Sequence, residues 1–118
     1  MVMERFMLPK TCLLRKNGEF DRVYRRGRRL HGKGFSLIFT ANETEYNRLG
    51  ISVQKKTGRA VDRNRIKRII RESFRLNRDS FPVKSDIVLT VRPGFSLGSP
   101  ADVLAAVTGL MQKTGQPD

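Results

Sequence analysis

Residues 54–78 have the sequence QKKTGRAVDRNRIKRIIRESFRLNR, and they carry most of the excess positive charge of the chain. Ten of them are basic and two are acidic, so ten minus two gives +8 of the formal +13 in this one segment. Apolar residues recur with a helical period from about Asp62 to Asn77, which predicts an amphipathic helix. Asp62 can cap its N-terminal turn, and a start a few residues earlier, near Arg59, is the alternative. Its apolar stripe consists of Ile66, Ile69, Ile70, Ser73 and Phe74.

The opposite face of this helix is basic, and we expect it to bind a polyanion. A solvated helix face usually mixes both signs of charge, whereas only Asp62 and Glu72 oppose the basic residues here. A simple solvated face is the alternative interpretation. The face comprises Asn64, Lys67, Arg68, Arg71, Arg75 and Arg78, with Arg63 and Arg65 at the two edges of the apolar stripe.

Length and composition narrow the class of protein and its partner. The chain has 118 residues and a sequence pI near 11.1, which predicts one domain, residues 1–118, with a strong positive field. Nucleic acid is the expected partner, and an anionic membrane surface is second. No run approaches the roughly 20 apolar residues of a membrane span, and the N-terminus is not typical of a signal peptide. A single cysteine, Cys12, excludes an internal disulfide and a cysteine metal cage, which favours a reducing cytoplasm.

The remaining elements are predicted from the spacing of apolar residues and from the capping, glycine and proline residues at their ends. Residues 1–16 form an irregular leader, and residues 113–118 a frayed tail. Two neighbouring strands, FSLIFT and RLGISVQ, suggest an antiparallel hairpin. The full order is α-β-β-β-α-β-α, an α+β domain. The other expected elements are a helix at 18–26 capped by Asn17 and ended by Gly27, strands at 28–30 and 87–91, and a helix that starts at Ser99 and Pro100.

A second candidate surface combines aromatic and small polar residues. Phe20 and Tyr24 lie on one side of the first helix, beside the basic run Arg25, Arg26, Arg28 and Arg29. Aromatic rings next to arginines are typical of platforms on which unpaired bases stack. The facing strands carry Ser36, Gly50 and Ser52, which would leave room for a groove. Plain core packing of the rings and solvent exposure of the strands are the alternatives.

The sequence offers no pattern typical of a protein active site. A nuclease generally needs clustered carboxylates around metal ions, or a histidine pair. The eleven acidic residues are scattered singly, and His31 is the only histidine. An RNA-binding module is therefore favoured over an enzyme that performs its own chemistry.

The motif Arg63-Asn64-Arg65 within DRNRIKRIIRESF, preceded by GISVQKKTGRAV, closely resembles the RNR motif of the bacterial ribonuclease P protein component. The resemblance also covers the leader MLPKTCLLRKNGEF, the strands FSLIF and RLGISV, the segment DIVLTV and the final helix. It implies a single αβββαβα domain with a mostly antiparallel sheet and a left-handed βαβ crossover, the arrangement called ribosomal protein S5 domain 2-like. Periodicity cannot predict that handedness, because the general rule favours right-handed crossovers.

The resemblance also implies a function. In ribonuclease P, a large RNA subunit is the catalyst and removes the 5′ leader of precursor tRNA with Mg²⁺. The small protein binds this RNA through its RNR region and holds the single-stranded leader in a cleft between the first helix and the sheet. Mg²⁺ is accordingly expected on the RNA subunit and the substrate, with no site made by the protein alone. The expected partners are the RNA subunit and precursor tRNA, with no membrane and no obligate protein partner.

Two sets of binding residues, and no catalytic residue, follow from this resemblance. The expected contacts to the catalytic RNA are Arg59, Arg63, Asn64, Arg65, Lys67, Arg68 and Arg71. The expected contacts to the leader are Phe20, Tyr24, Ser36, Ile38, Ser52, Gln54 and Lys55. Two other classes remain as alternatives. A ribosomal protein would not require an aromatic cleft separate from the basic helix, and a membrane-surface protein would frame an exposed aliphatic face with its basic residues.

Overall fold

The computed structural model describes residues 9–113, and the elements in this range follow the predicted order αβββαβα. The predicted α+β class is confirmed. The helices are α1 (Asn17–Arg26), α2 (Ala60–Leu76) and α3 (Pro100–Lys113). The strands are β1 (Arg28–Gly32), β2 (Phe35–Ala41), β3 (Arg48–Val53) and β4 (Ser85–Val91).

The four strands form one mixed sheet in the order β1-β2-β4-β3. β1 pairs with β2, and β2 with β4, in antiparallel fashion, whereas β3 and β4 are parallel. The unit β3-α2-β4 is therefore the βαβ crossover around the basic helix. Its left-handedness stays a prediction.

The predicted hairpin of β2 and β3 is wrong, because β4 lies between these strands. β4 is the strand best suited to an interior position, since residues on both of its faces are buried, including Ile87, Val88, Leu89 and Val91. Strands adjacent in sequence are neighbours in space only about two-thirds of the time. The hairpin that does form joins β1 and β2 through a turn in which Gly34 has φ 79°, a conformation that favours glycine.

The sheet separates two apolar layers. On one face, α2 and α3 cover the main core, which is built from residues of all four strands and includes Leu37, Leu49, Phe74 and Val107. On the other face, α1 covers a smaller cluster of Leu14, Val23, Ile38 and Val88, with Phe20 and Tyr24 packed against it. The smaller layer leaves part of this face uncovered, and the candidate leader contacts Phe20, Tyr24 and Ser52 border that part.

Capping chemistry defines the starts of α2 and α3. α2 begins at Ala60, and the carboxylate of Asp62 accepts the backbone N–H of Arg59 at 3.1 Å. Asp62 thus caps the first turn as predicted, and the helix starts directly after Arg59, in agreement with the earlier of the two expected starts. The hydroxyl of Ser99 accepts the backbone N–H of Asp102 at 3.1 Å, which confirms the predicted start of α3.

The ends of α1 differ in detail from the prediction. Asn17 is the first residue of the helix rather than its cap, and the carboxylate of Glu19 accepts the backbone N–H of Lys16 at 3.1 Å instead. Gly27 follows the helix as expected, but with φ −79° rather than a left-handed backbone. A Cβ at this position would lie 2.5 Å from the carbonyl oxygen of Val23, so close packing is the reason for glycine.

The described part of the predicted leader runs along the outer edge of β3. The backbone N–H of Leu14 donates to the carbonyl of Leu49 at 2.8 Å, and Cys12 and Leu14 are buried. Residues 1–8 of that leader lie outside the described residues. At the other end, Lys113, predicted to belong to the frayed tail, is the last residue of α3, and residues 114–118 also lie outside the described range.

Candidate nucleic-acid interface

α2 buries its apolar stripe and presents the motif residues to solvent. Ile70, Ser73 and Phe74 have no exposed surface. On the exposed side, a depression of about 490 Å³ is lined by Arg59, Val61, Asp62, Asn64, Arg65 and Arg68. We call it the motif face. Three guanidinium groups and an amide around one shallow depression supply donors suited to phosphate oxygens.

The other predicted contacts on α2 lie elsewhere. Lys67 and Arg71 line a groove on the side of the helix that faces α1. The guanidinium of Arg63 donates from Nη1 to the carbonyl oxygen of Gly58 at 2.7 Å, so it holds the turn before the helix. The structure therefore brings together Arg59, Asn64, Arg65 and Arg68 and separates the remaining three predicted residues from them.

A groove of about 640 Å³ lies between α1 and α2 across the edge of β3. We call it the α1 groove. Phe20 and Tyr24 of α1 form one wall, Ser52 lies on β3, and Lys67 stands on the α2 side. The other lining residues are Arg15, Asn17, Asp21, Ile51 and Val53. Aromatic rings and cations around one open groove are typical of sites for single-stranded nucleic acid.

The position of Phe20 depends on a glycine beneath it. A Cβ on Gly50 would lie 2.6 Å from Cζ of Phe20, so the ring rests directly on the backbone of β3. The open side of the ring is available to a ligand, because Phe20 is only partly buried. Both interpretations of this ring, core packing and stacking platform, are therefore compatible with its place.

Beyond α1, one row of polar side chains crosses all four strands on the uncovered face. The register pairs His31 with Ser36, Ser36 with Thr90, and Thr90 with Ser52. The phenol of Tyr24 shares a hydrogen bond of 3.2 Å with the hydroxyl of Thr90, which fixes the end of α1 over this row. We call these four strand residues the polar row.

A hydrogen-bonded chain holds the β1 side of the polar row. Arg92 donates from Nη1 to Oγ of Ser36 at 2.9 Å and from Nη2 to the carbonyl oxygen of Gly32 at 3.2 Å. Oγ of Ser36 also lies 3.0 Å from Nδ1 of His31. All three groups are satisfied when the hydroxyl donates to Nδ1, and Nε2 of the exposed imidazole then carries its proton outward.

Of the seven predicted leader contacts, three line the α1 groove, two are exposed outside it and two on β2 are buried. Phe20, Tyr24 and Ser52 line the α1 groove, as expected of them. Gln54 and Lys55 are exposed at the end of β3 without lining the groove.

The two predicted contacts on β2 need correction. Ile38 has no exposed surface because it packs in the cluster with Val23 under α1. Ser36 is 5% exposed, and its hydroxyl is engaged by Arg92 and His31. Ile38 therefore supports the groove, and Ser36 can act only through the groups that it holds.

A second contact, to a buried carboxylate near the start of β4, fixes α1 on the sheet. Asp86 of β4 has no exposed surface and accepts hydrogen bonds from Nη1 of Arg22 at 2.9 Å and from Nδ2 of Asn42 at 2.9 Å. Arg48 of β3 donates from both Nε and Nη2 at 2.7 Å. Arg48 also lies 3.5 Å from Glu19, a second contact to α1. We call Arg22, Arg48 and Asp86 the clamp.

The pKa directions in the clamp agree with its geometry. Burial pushes the pKa of Asp86 upward, but the hydrogen bonds from Arg48, Asn42 and Arg22 and the charge of Arg48 outweigh burial and lower it below its ordinary value. The hydrogen bond to Asp86 raises the pKa of Arg48. Asp86 and Arg48 are consequently both charged at neutral pH, and the clamp is closed there.

Sequence patterns could not reveal the clamp or the β1 side of the polar row. Arg22 and Arg48 lie 64 and 38 residues from Asp86 along the chain. Thr90 and Arg92 belong to the segment DIVLTVRPG, where alternation predicts a strand but not which helix covers which face. The one available signal is Asp86 itself, the only charged residue of β4.

The described residues contain no cluster of side chains typical of a metal site. Within residues 9–113, no group of three or more His, Cys, Asp or Glu side chains could hold a metal ion. The buried carboxylate of Asp86 does not fit a cation either, because two arginines already occupy it. In the same range, no helix is long and apolar enough to cross a membrane.

Comparisons with known proteins agree on one family. The sequence profile described as Ribonuclease P matches residues 8–115. The chain is 63% identical over 108 residues to the ribonuclease P protein component of Desulfotalea psychrophila. This alignment covers 92% of this chain and 90% of that protein. It is 40% identical to the component from Syntrophus aciditrophicus, over 97% of this chain and 96% of that one.

Solved structures give the same result. The RNase P protein of Staphylococcus aureus superposes with a TM-score of 0.74 at 30% identity, covering 90% of this chain and 97% of that one. The RNase P protein of Thermotoga maritima gives 0.72 at 32% identity, covering 85% of this chain and 94% of that one.

Proposed function

The chain belongs to the ribonuclease P protein family, and from this membership we propose that its two basic surfaces bind two different RNAs. It is a protein subunit of ribonuclease P, the endoribonuclease of tRNA 5′ processing, and associates with the RNA of that enzyme. What remains to be assigned is which surface contacts which RNA. The observation that carries the assignment is the separation of the motif face from the α1 groove by the body of α2.

We assign the catalytic RNA subunit to the motif face. Arg59, Asn64, Arg65 and Arg68 are exposed and lie on a helix anchored by its buried apolar stripe. A helix held in this way keeps its arginines at fixed spacing, so that little ordering entropy is lost when they bind a folded RNA. Arg65 and Arg68 lie three residues apart and therefore share one side of the helix.

We assign the single-stranded 5′ leader of precursor tRNA to the α1 groove. Phe20 and Tyr24 supply rings on which unpaired bases can stack, and Arg15 and Lys67 supply charge for the phosphates. Arg71 adds charge from the adjoining groove, which shares Arg15, Phe20 and Lys67 with this one. The groove is open along the edge of β3, so a continuous strand can enter and leave it. Lys67 and Arg71, which the sequence predicts as contacts to the catalytic RNA, belong to this second surface in the proposal.

The bond-breaking chemistry is assigned to the RNA subunit. Mg²⁺ bound by that RNA and the substrate would supply the activated nucleophile and stabilise the leaving oxygen. The protein residues bind, orient and neutralise. We also propose a cytoplasmic location, without a membrane or an obligate protein partner. Purified protein and RNA subunit should then suffice for cleavage of precursor tRNA, and a requirement for a further protein would contradict that part.

Two substitutions test the division of labour. Arg65→Ala should weaken binding to the RNA subunit and lower the slope of log K against log salt by about 0.7–0.9 for each phosphate that the variant no longer neutralises. Arg28→Ala, which removes an exposed arginine of β1, is the matched control. A loss of affinity no larger than that of the control would contradict the motif face.

Phe20→Ala tests the α1 groove. It should weaken binding of precursor tRNA to the assembled enzyme by about 1–3 kcal/mol if a base stacks on the ring, while binding of mature tRNA stays unchanged. Phe20→Leu separates stacking from packing, because leucine retains apolar cover over Gly50. Equal losses for precursor and mature tRNA would assign Phe20 to packing alone.

A further inference from the structure

A cavity of about 680 Å³ opens between α3 and the β1–β2 hairpin, at the sheet edge opposite β3. Its more buried lining is apolar, with Phe35, Leu97 and Leu110, whereas Lys33 and Lys113 are exposed at its border. No acidic residue lies among the described residues that line it. The size is within the usual range for small-ligand sites, about 300–1,000 Å³.

This cavity meets the end of the polar row at one residue of the β1 edge. His31 lines the cavity, and its Nδ1 lies 3.0 Å from Oγ of Ser36, the next member of the row. From there the row continues through Thr90 to Ser52, which lines the α1 groove. The polar row therefore runs from the α1 groove to the β1 edge of the sheet, and the cavity lies just around that edge, on the side covered by α3.

We propose that this cavity is a second binding site for the single-stranded leader and accepts a nucleotide upstream of those in the α1 groove. The proposal rests on the assignment of the leader to that groove. A base has the flat apolar surface that the partly exposed Leu97 and Leu110 can cover, and Lys33 and Lys113 supply charge for the flanking phosphates. An uncharged apolar ligand would leave both lysines without a role.

The length of the path suits a short run of nucleotides. Three steps between neighbouring strands of about 4.8 Å each give about 14 Å across the sheet, which about four stacked nucleotides cover at 3.4 Å each. An extended strand needs fewer. Along the path, the hydroxyls of Ser52 and Thr90 and the imidazole of His31 can serve as donors to phosphate oxygens or base edges. The leader would thus cross the α1 face nearly perpendicular to the strands and turn around the β1 edge to reach the cavity.

Gly109 allows the cavity to be tested without damage to the fold. It lines the cavity on α3, is exposed, and a Cβ there would meet no atom within 4 Å. Glutamate and glutamine both favour helix more than glycine does, so both variants should fold. Gly109→Glu places a negative charge in the cavity, and Gly109→Gln is the uncharged control of the same size.

The assay measures the affinity of the assembled enzyme for mature tRNA and for precursors whose leaders are lengthened one nucleotide at a time. We expect a first gain in affinity as the leader fills the α1 groove and a second gain when it reaches the cavity. Gly109→Glu should bind the longer precursors about fivefold less tightly than Gly109→Gln, the effect of one like charge at about 4 Å in water. Mature tRNA and the shorter precursors should not distinguish the two variants.

The outcomes separate the two proposals. Absence of the first gain contradicts the assignment of the leader to the α1 groove. A first gain without a second, or equal affinity of the glutamate and glutamine variants for long precursors, overturns the cavity site and leaves the groove in place. A second gain that only the glutamate variant loses supports the cavity as a nucleotide site.

Discussion

Asp86→Asn is expected to lower the free energy of unfolding by about 3 kcal/mol. The carboxylate of Asp86 is fully buried and accepts four hydrogen bonds, three from arginines and one from Asn42. Breaking a buried ion pair by removing one partner typically costs about 3–5 kcal/mol. The lower end applies here because asparagine keeps one acceptor, and because the side chains of Arg22 and Arg48 are 35% and 22% exposed and can regain water.

Urea denaturation followed by far-UV circular dichroism measures this loss. For a domain whose total stability is about 5–15 kcal/mol, 3 kcal/mol is a large fraction and should lower Tm by about 10 °C or more. Asp79→Asn is the matched control, because it removes the same charge from an exposed position and should change stability by no more than about 0.5 kcal/mol. Equal effects of the two substitutions would refute the role assigned to the clamp.

The pH dependence supplies a second check. The pKa of Asp86 is lower in the folded state than its ordinary value, so the clamp's contribution is present above the unfolded-state pKa of about 3.9. It is lost as the pH falls through the lower, folded-state pKa. The stability difference between wild type and Asp86→Asn should therefore be constant from pH 6 to pH 8 and shrink only in acid. A difference that changes between pH 6 and pH 8 would show that another group controls this contact.

Two further predictions concern charge and catalysis. Sulfate or phosphate should raise Tm well beyond chloride at equal ionic strength. The basic residues behind the net charge of +13 repel one another, and an anion that binds only the folded state stabilises that state. Equal Tm values in both salts would contradict this prediction. Glu43→Ala and Glu72→Ala should each leave the single-turnover cleavage rate of the assembled enzyme within about tenfold of the wild-type rate, about 1.4 kcal/mol of activation free energy. A variant that folds and binds RNA but cannot cleave would place chemistry in the protein.

The parts of the fold that can be predicted from the sequence are those set by local chemistry. The apolar stripe of α2 follows from residues three and four apart, and the start of α3 follows from Ser99 and its neighbours. The pairing of β2 with β4 is not local, so proximity in sequence favours β3 as the partner instead. For the same reason alternation predicts that Ile38 shares a face with Ser36, but not that α1 buries it.

In the candidate site, too, the residues that can be predicted are those placed by local sequence, and the others depend on long-range pairing. Arg65 and Arg68 can be predicted because motif and helical period place them together. Lys67 has the same charge and lies between them in sequence, yet it faces α1, since one residue along a helix is a rotation of about 100°. His31 and Thr90 become binding candidates only once the strand register is known.

The placement of the acidic residues explains how a chain with this charge keeps its basic faces free. In each of the three helices, the third residue is acidic and accepts a backbone N–H from the segment before the helix: Glu19, Asp62 and Asp102. Helix N-termini carry partial positive charge, so a carboxylate there stabilises the fold and is itself neutralised. Asp86 is likewise taken up by the clamp. Of these four carboxylates, only Asp62 lies on the motif face, where its Oδ2 is also 3.5 Å from Nε of Arg59. The other three are committed to contacts elsewhere, and a bound RNA supplies the counter-charge that the motif face lacks.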